Sequence, residues 1–233
     1  MILKTLKASV LVTILFCLVS TSVILGICHS PAIAGVSSDL NLGVAYYYQE
    51  QFHEAQTVFE AVLAEDPGNF QAHFNLYLTL VALDRPEQAQ VHLEQCLRID
   101  PEYPGLQLEL GNILFDRGHL GEAVVAYELE LKNDPSNLAA VYNLAMVEIT
   151  QSSFAAAAEK LSLIVQRDPE FPGAKLALGE VFAQLHDWER ALSALNEARA
   201  EEPENARLYL LLGVAQQNLG DPTRAGTHYQ HAL

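Results

Sequence analysis

The stretch LNLGVAYYYQEQFHEAQTVFEAVLAEDP, residues 40–67, decides the fold. It carries Leu42-Gly43 and Tyr46, then Ala55 with Phe59 four residues on, and it closes on Asp66-Pro67. Moving outward in steps of 34 residues meets the same signs again. Proline returns at Pro101, Pro135, Pro169 and Pro203, each after an acid: Asp100, Asp134, Asp168 and Glu202. A residue before proline is pushed out of the helical region, so a helix ends at each of these points. The period also carries Leu42, Leu76, Leu110, Leu144, Leu178 and Leu212, and a second row of Ala55, Ala89, Ala123, Ala157, Ala191 and Ala225. One two-helix unit is being repeated.

Within a unit the residue types specify how the two helices meet. The residue after the leucine is Gly43, Gly111, Ala145, Gly179 or Gly213, with Tyr77 the exception, and small residues there let a second helix approach. The alanine row falls early in that second helix. Phe59, Leu93, Tyr127, Leu161, Leu195 and Tyr229 follow it by four residues and share its face. The leucines are expected to fill the core.

This pattern resembles the tetratricopeptide repeat family, whose signature W-x2-L-G-x2-Y...A-x3-F...P has the same length. The first unit matches at Leu42, Gly43, Tyr46, Ala55, Phe59 and Pro67. The family tryptophan is replaced by Asp39, His73, Gln107, Val141, Lys175 and Tyr209, and Trp188 belongs instead to the turn before a second helix, as a packing residue. The resemblance implies an all-α, right-handed superhelical solenoid of six helix-turn-helix units over 36–69, 70–103, 104–137, 138–171, 172–205 and 206–233. Asp100-Pro101-Glu102-Tyr103-Pro104-Gly105 and Asp168-Pro169-Glu170-Phe171-Pro172-Gly173 lie 68 residues apart, a doubled period. It places Pro104 and Pro172 in the first turn of their helices, where a missing N–H is harmless.

Residues 1–34 read differently. Lys4 and Lys7 precede the apolar run Ala8 to Ile27, and Pro31-Ala32-Ile33-Ala34 offers small residues to a signal peptidase. This predicts export, with cleavage after Ala34 and an extracytoplasmic array. The alternative is a retained single-pass anchor through residues 8–27, since that run is long enough for a bilayer core. A loose lipobox at Leu25-Gly26-Ile27-Cys28 has a bulky residue before its cysteine. Processing would leave Cys96 as the one cysteine and preclude an internal disulfide.

The 233 residues include 29 acids against 13 Lys plus Arg, a formal net charge of −16 that repels nucleic-acid phosphates and favours neutral or basic protein partners. With half the residues hydrophobic the chain is able to bury a core. No phosphate loop, nucleophile elbow, His-Glu-x-x-His or paired Cys-x-x-Cys is present, so no enzyme, cofactor or metal is expected. His228 and His231 share a helix face without a third ligand and are read as surface. The acids before proline are read as turn residues.

In the family the first helices line a concave groove, so the resemblance implies partner contacts from Asn41, Val44, Tyr48, Asn75, Leu78, Val81, Asn112, Phe115, Asn143, Met146 and Ile149. Asn41, Asn75 and Asn143 either bond an extended peptide or satisfy local backbone. The apolar members form either a recognition strip or deeper core. A carboxylate clamp is not expected, because Leu40, Phe74, Asn75 and Leu108 occupy its positions. The function expected is a non-catalytic scaffold binding a peptide or protein in envelope or secretion-related assembly. The alternative is a regulatory or substrate-presenting part of an enzyme continuing past Leu233. The apolar start of the sixth unit, Leu208 to Leu212, also suggests self-association.

Overall fold

A computed structural model describes residues 31–233, with side chains from residue 38 onward. The predicted export signal falls outside the described residues, except for Pro31 to Ala34. Among the described residues there are twelve helices and no strand: α1 (Pro31–Tyr48), α2 (Phe52–Glu65), α3 (Phe70–Ala82), α4 (Pro86–Ile99), α5 (Leu106–Asp116), α6 (Leu120–Asn133), α7 (Leu138–Thr150), α8 (Phe154–Arg167), α9 (Ala174–Gln184), α10 (Trp188–Glu201), α11 (Ala206–Asn218) and α12 (Pro222–His231). Odd and even helices pair as hairpins, and each even helix packs on the odd helix that follows. The chain is an all-α helical repeat solenoid.

The close approach inside each hairpin explains the small-residue position. A Cβ added at Gly43 would lie 2.4 Å from Phe59 Cε1, at Gly111 2.4 Å from Tyr127 Cε1, and at Gly213 2.3 Å from Tyr229 Cε1. The ring of the second helix occupies the space of the missing side chain. Where the small position holds Tyr77 or Ala145, the facing residue is a leucine, Leu93 or Leu161. Gly179 faces a leucine as well, Leu195, whose Cγ lies 2.6 Å from an added Cβ. All six alanines of the second row are buried beside this contact.

The leucine row joins units as well as the two helices of one unit. Leu76 clusters with Ala55 and Phe59 of the preceding second helix, and Leu212 with Leu195 and Ala198. Leu42 is the exception to the core expected of this row: it is 47% exposed, because no earlier hairpin among the described residues lies against α1. Leu110 is half-buried.

Two kinds of turn alternate along the chain. Inside each hairpin one residue takes a left-handed backbone: Glu50, Asp84, Gly118, Ser152, His186 and Gly220, with φ between 58° and 83°. It lets the next amide reach back to a carbonyl five residues earlier, as Arg85 N–H does to Leu80 O at 2.9 Å and His119 N–H to Leu114 O at 2.9 Å. Between units, Asp66, Asp100, Asp134 and Asp168 each accept the amide N–H two residues on through Oδ1, at 2.9–3.3 Å. These acids are turn residues, as their place before proline implies. The Ser136 hydroxyl and amide hold the Asp134 carboxyl below the usual range.

Helix starts show the doubled period. Asn69, Asn137 and Asn205 cap α3, α7 and α11 through Oδ1, whereas α5 and α9 begin after Gly105 and Gly173 in left-handed conformations. Pro104 and Pro172 therefore precede their helices instead of sitting in the first turn. The extra Pro-Gly step shortens α5 and α9 to 11 residues and turns Tyr103 back onto Phe70, ring centroids 4.7 Å apart, and Phe171 onto Tyr142 at 5.4 Å.

One buried acid interrupts an apolar row. Val62, Cys96, Ile164 and Ala198 recur at one position, and Glu130 replaces them in the third unit. Its Oε1 accepts from Gly105 N–H at 3.1 Å and from Asn137 Nδ2 at 2.9 Å, tying the start of α5 to the cap of α7. Both donors meet Oε1, while Oε2 is buried without a hydrogen-bond partner.

The hairpin contact and the buried thiol each give a measurable outcome. Gly111→Ala is expected to cost about 1–3 kcal/mol by overpacking against Tyr127, whereas Gly118→Asn costs little because asparagine tolerates a left-handed backbone and nothing lies within 4 Å of the new Cβ. Urea unfolding of both variants measures the difference. Cys96 is buried and its thiol is pushed up to about 12, so the reactive thiolate is scarce at neutral pH. Alkylation at pH 8, mapped by mass spectrometry, is expected to label Cys96 only after denaturant is added.

Candidate functional site

The candidate site is the face built from the odd helices, where α1 touches α3, α5 touches α7 and α9 touches α11 directly. Each odd helix spends one side on the small-residue contact and the leucine row. The residues between those two commitments face the neighbouring odd helix or solvent.

The eleven residues inferred from the sequence fall into three environments. Asn41 and Tyr48 stand exposed on α1, Tyr48 at 53%. Val44, Val81, Phe115, Met146 and Ile149 are half-buried, each with part of its surface against a core cluster. Asn75 and Leu78 are buried, Leu78 with only 4% of its surface accessible, so in the second unit the strip belongs to the core. Asn112 and Asn143 are half-buried and bonded to each other, Asn143 Nδ2 donating to Asn112 Oδ1 at 2.6 Å. Of the three recurrent asparagines, Asn143 thus spends one amide donor on an intramolecular bond between units.

That bond is one of a set that crosses from unit to unit. Tyr127 Oη also donates to Asn112 Oδ1 at 3.1 Å, which leaves this carbonyl with two donors. Tyr77 Oη donates to Glu109 Oε2 at 2.9 Å, linking α3 to α5. Burial and the neighbouring Glu109 carboxylate raise the Tyr77 hydroxyl well above the ordinary tyrosine range, so it remains a donor. Further along, Arg207 forks onto Glu180, with Nε 2.8 Å from Oε1 and Nη2 2.8 Å from Oε2. Burial raises the Glu180 carboxyl, and Arg207 opposes that shift. The odd-helix face is therefore a row of half-buried apolar side chains interleaved with polar bridges.

Sequence periodicity does not reveal these bridges as a group. Tyr77 is visible as the one bulky residue at the small-residue position, and Glu109 as a departure from the asparagine row. Neither departure names its partner, because the two residues belong to different units, 32 positions apart.

Comparison with known proteins agrees with this architecture. The tetratricopeptide repeat family matches residues 80–145 in one form and residues 40–104 and 176–233 in another. A relative in Hordeum vulgare, the probable UDP-N-acetylglucosamine–peptide N-acetylglucosaminyltransferase SPINDLY, is 29% identical over 162 residues, which covers 66% of this chain and 17% of that protein. The chain thus spans about a sixth of the length of that relative. The structure of PilF from Pseudomonas aeruginosa superposes with a TM-score of 0.70 at 17% identity, covering 85% of this chain and 90% of that one. PilW, a type IV pilus biogenesis factor, superposes with a TM-score of 0.67 at 21% identity, covering 83% and 90%. At these identities the two structures speak to the fold alone. The periodic rows, the hairpin contacts and the family matches converge on one statement: the chain belongs to the tetratricopeptide repeat family.

Proposed function

We propose that this protein is an exported, non-catalytic scaffold that holds a peptide or protein segment against its odd-helix face. The observation that carries the reading is the run of half-buried apolar side chains from Val81 through Phe115 to Met146 and Ile149, bordered by polar bridges. Such a run offers apolar area to a partner while the bridges hold the neighbouring helices at a constant spacing. The net charge of −16 favours a neutral or basic partner.

Lys4 and Lys7 before the apolar run, with the small residues ending at Ala34, support an extracytoplasmic location. With an extracytoplasmic location, envelope or secretion-related assembly is the setting this reading gives the scaffold. A second reading, a substrate-presenting region of a larger enzyme, draws on the barley transferase, of which the matched part is 17%. Self-association through the sixth unit is supported by Leu210, half exposed on α11.

Affinity capture from an envelope extract, read by mass spectrometry, tests the scaffold reading. The parent chain is expected to retain a specific protein, and the Phe115→Asp and Met146→Asp variants to lose it, with Tyr48→Ala as a milder variant at an exposed site. Circular dichroism confirms that each variant remains helical. Retention by folded variants at parental levels would remove the odd-helix face as the binding surface. In sedimentation velocity, Leu210→Asp is expected to abolish any concentration-dependent dimer.

A further inference from the structure

A second surface lies among the last three helices. A cleft of about 400 Å³ is lined by Asn196 and Arg199 of α10, Gln216 of α11, and Arg224, Thr227 and His228 of α12. The repeat supplies its own control, because the equivalent cleft one period earlier is also formed. There Val165 stands at the place of Arg199, Phe182 at that of Gln216 and Ala194 at that of His228. Arg190, the counterpart of Arg224, lies over the Phe182 ring with its guanidinium carbon 4.5 Å from the centroid. The preceding cleft is smaller, about 150 Å³, and sets Lys175 and Arg190 beside the carboxylate of Glu197, whereas no acid lines the last one.

The substitutions leave polar groups without partners. Gln216 is only 7% exposed, yet among the described residues its side-chain amide makes no hydrogen bond to protein. His228 Nδ1 is buried and unbonded. Among the described residues Arg199 has no carboxylate within ion-pair distance, and Arg224 has Asp221, with Nε 3.4 Å from Oδ2. Arg199, Gln216 and Arg224 thus line the cleft with hydrogen-bond donors that, Asp221 aside, no protein carboxylate occupies among the described residues. Burial first, then the charges of Arg199 and His231, hold the His228 imidazole below its usual range. The Tyr209 ring stands beside His228 and His231, at 6.1 Å and 5.1 Å.

We propose that this cleft binds a phosphoryl group, either free phosphate or a phosphate monoester. Donors line it from three helices: the guanidiniums of Arg199 and Arg224 and the Gln216 amide. A tetrahedral oxyanion offers enough acceptor oxygens for donors arriving from several directions, whereas a planar carboxylate offers two. An anion seated there also reverses the repulsion between His228 and Arg199. This site is separate from the odd-helix face, and the proposal does not rest on the scaffold reading.

Equilibrium dialysis of the full chain with radiolabelled inorganic phosphate, at pH 7 and constant ionic strength, tests it. One saturable site per chain is expected. Arg199→Val, which installs the residue found one period earlier at an exposed position, is expected to weaken binding at least tenfold, and Gln216→Phe likewise. Arg190→Ala in the preceding cleft is expected to leave binding unchanged. Competition by phosphoserine assigns the site to monoesters, and its failure to compete assigns the site to free phosphate. Non-saturable uptake, parental binding by folded Arg199→Val, or equal competition by acetate would each overturn the proposal.

Discussion

The structure depends on how closely two helices of a hairpin approach. At the small-residue position the second helix pushes a ring or a leucine to within 2.3–2.6 Å of where a Cβ would stand on the glycines at 43, 111, 179 and 213. Such an approach excludes water from both backbones and buries the alanine row completely. Everything else is arranged around it. The left-handed turn residue returns the chain at the required distance, and the leucine row is thereby presented to the preceding unit. Because an isolated hairpin leaves that leucine face uncovered, stability accrues only as units stack.

Stacking in this chain is not uniform, and the departures are chemically coherent. Helix starts alternate between an asparagine cap and a Tyr/Phe-Pro-Gly step, which trades the first turn of helix for an aromatic contact to the preceding first helix. Glu130 then joins one start of each kind, accepting from Gly105 and from the Asn137 cap. A carboxylate in the apolar row is a poor choice for packing alone. It is a good choice for registering one unit against the next, since its donors are available only when α5 and α7 both begin in the correct place.

The odd-helix face obeys the same logic. Its polar residues pair mostly across units, as in Tyr77 with Glu109, Asn143 with Asn112 and Arg207 with Glu180. They set the spacing of the helices that present Phe115, Met146 and Ile149. The last cleft contrasts with this, because Arg199, Gln216 and His228 have the chemistry of such bridges without protein partners. Comparing each position with its equivalent 34 residues earlier separates these groups from ordinary variation.

The repeat length, the helix ends, the buried alanines and the small-residue contact were legible in the residues themselves, since each is local or recurs at a constant offset. Proline geometry and side-chain volume act on the nearest turn of chain, so a period in sequence is a period in space. The exposure of Leu42, the burial of Leu78 and the pairing of Asn112 with Asn143 were not legible. Each depends on whether a neighbouring unit is present and how deeply it seats, which is settled by packing between segments about 30 residues apart. The shift of the α5 start from Pro104 to Leu106 was likewise a tertiary decision: Tyr103 gains a place against Phe70 only if the chain turns through Gly105 before helix begins. Sequence determined the unit and its order; the fit between units decided which of its polar and apolar residues remain available to a partner.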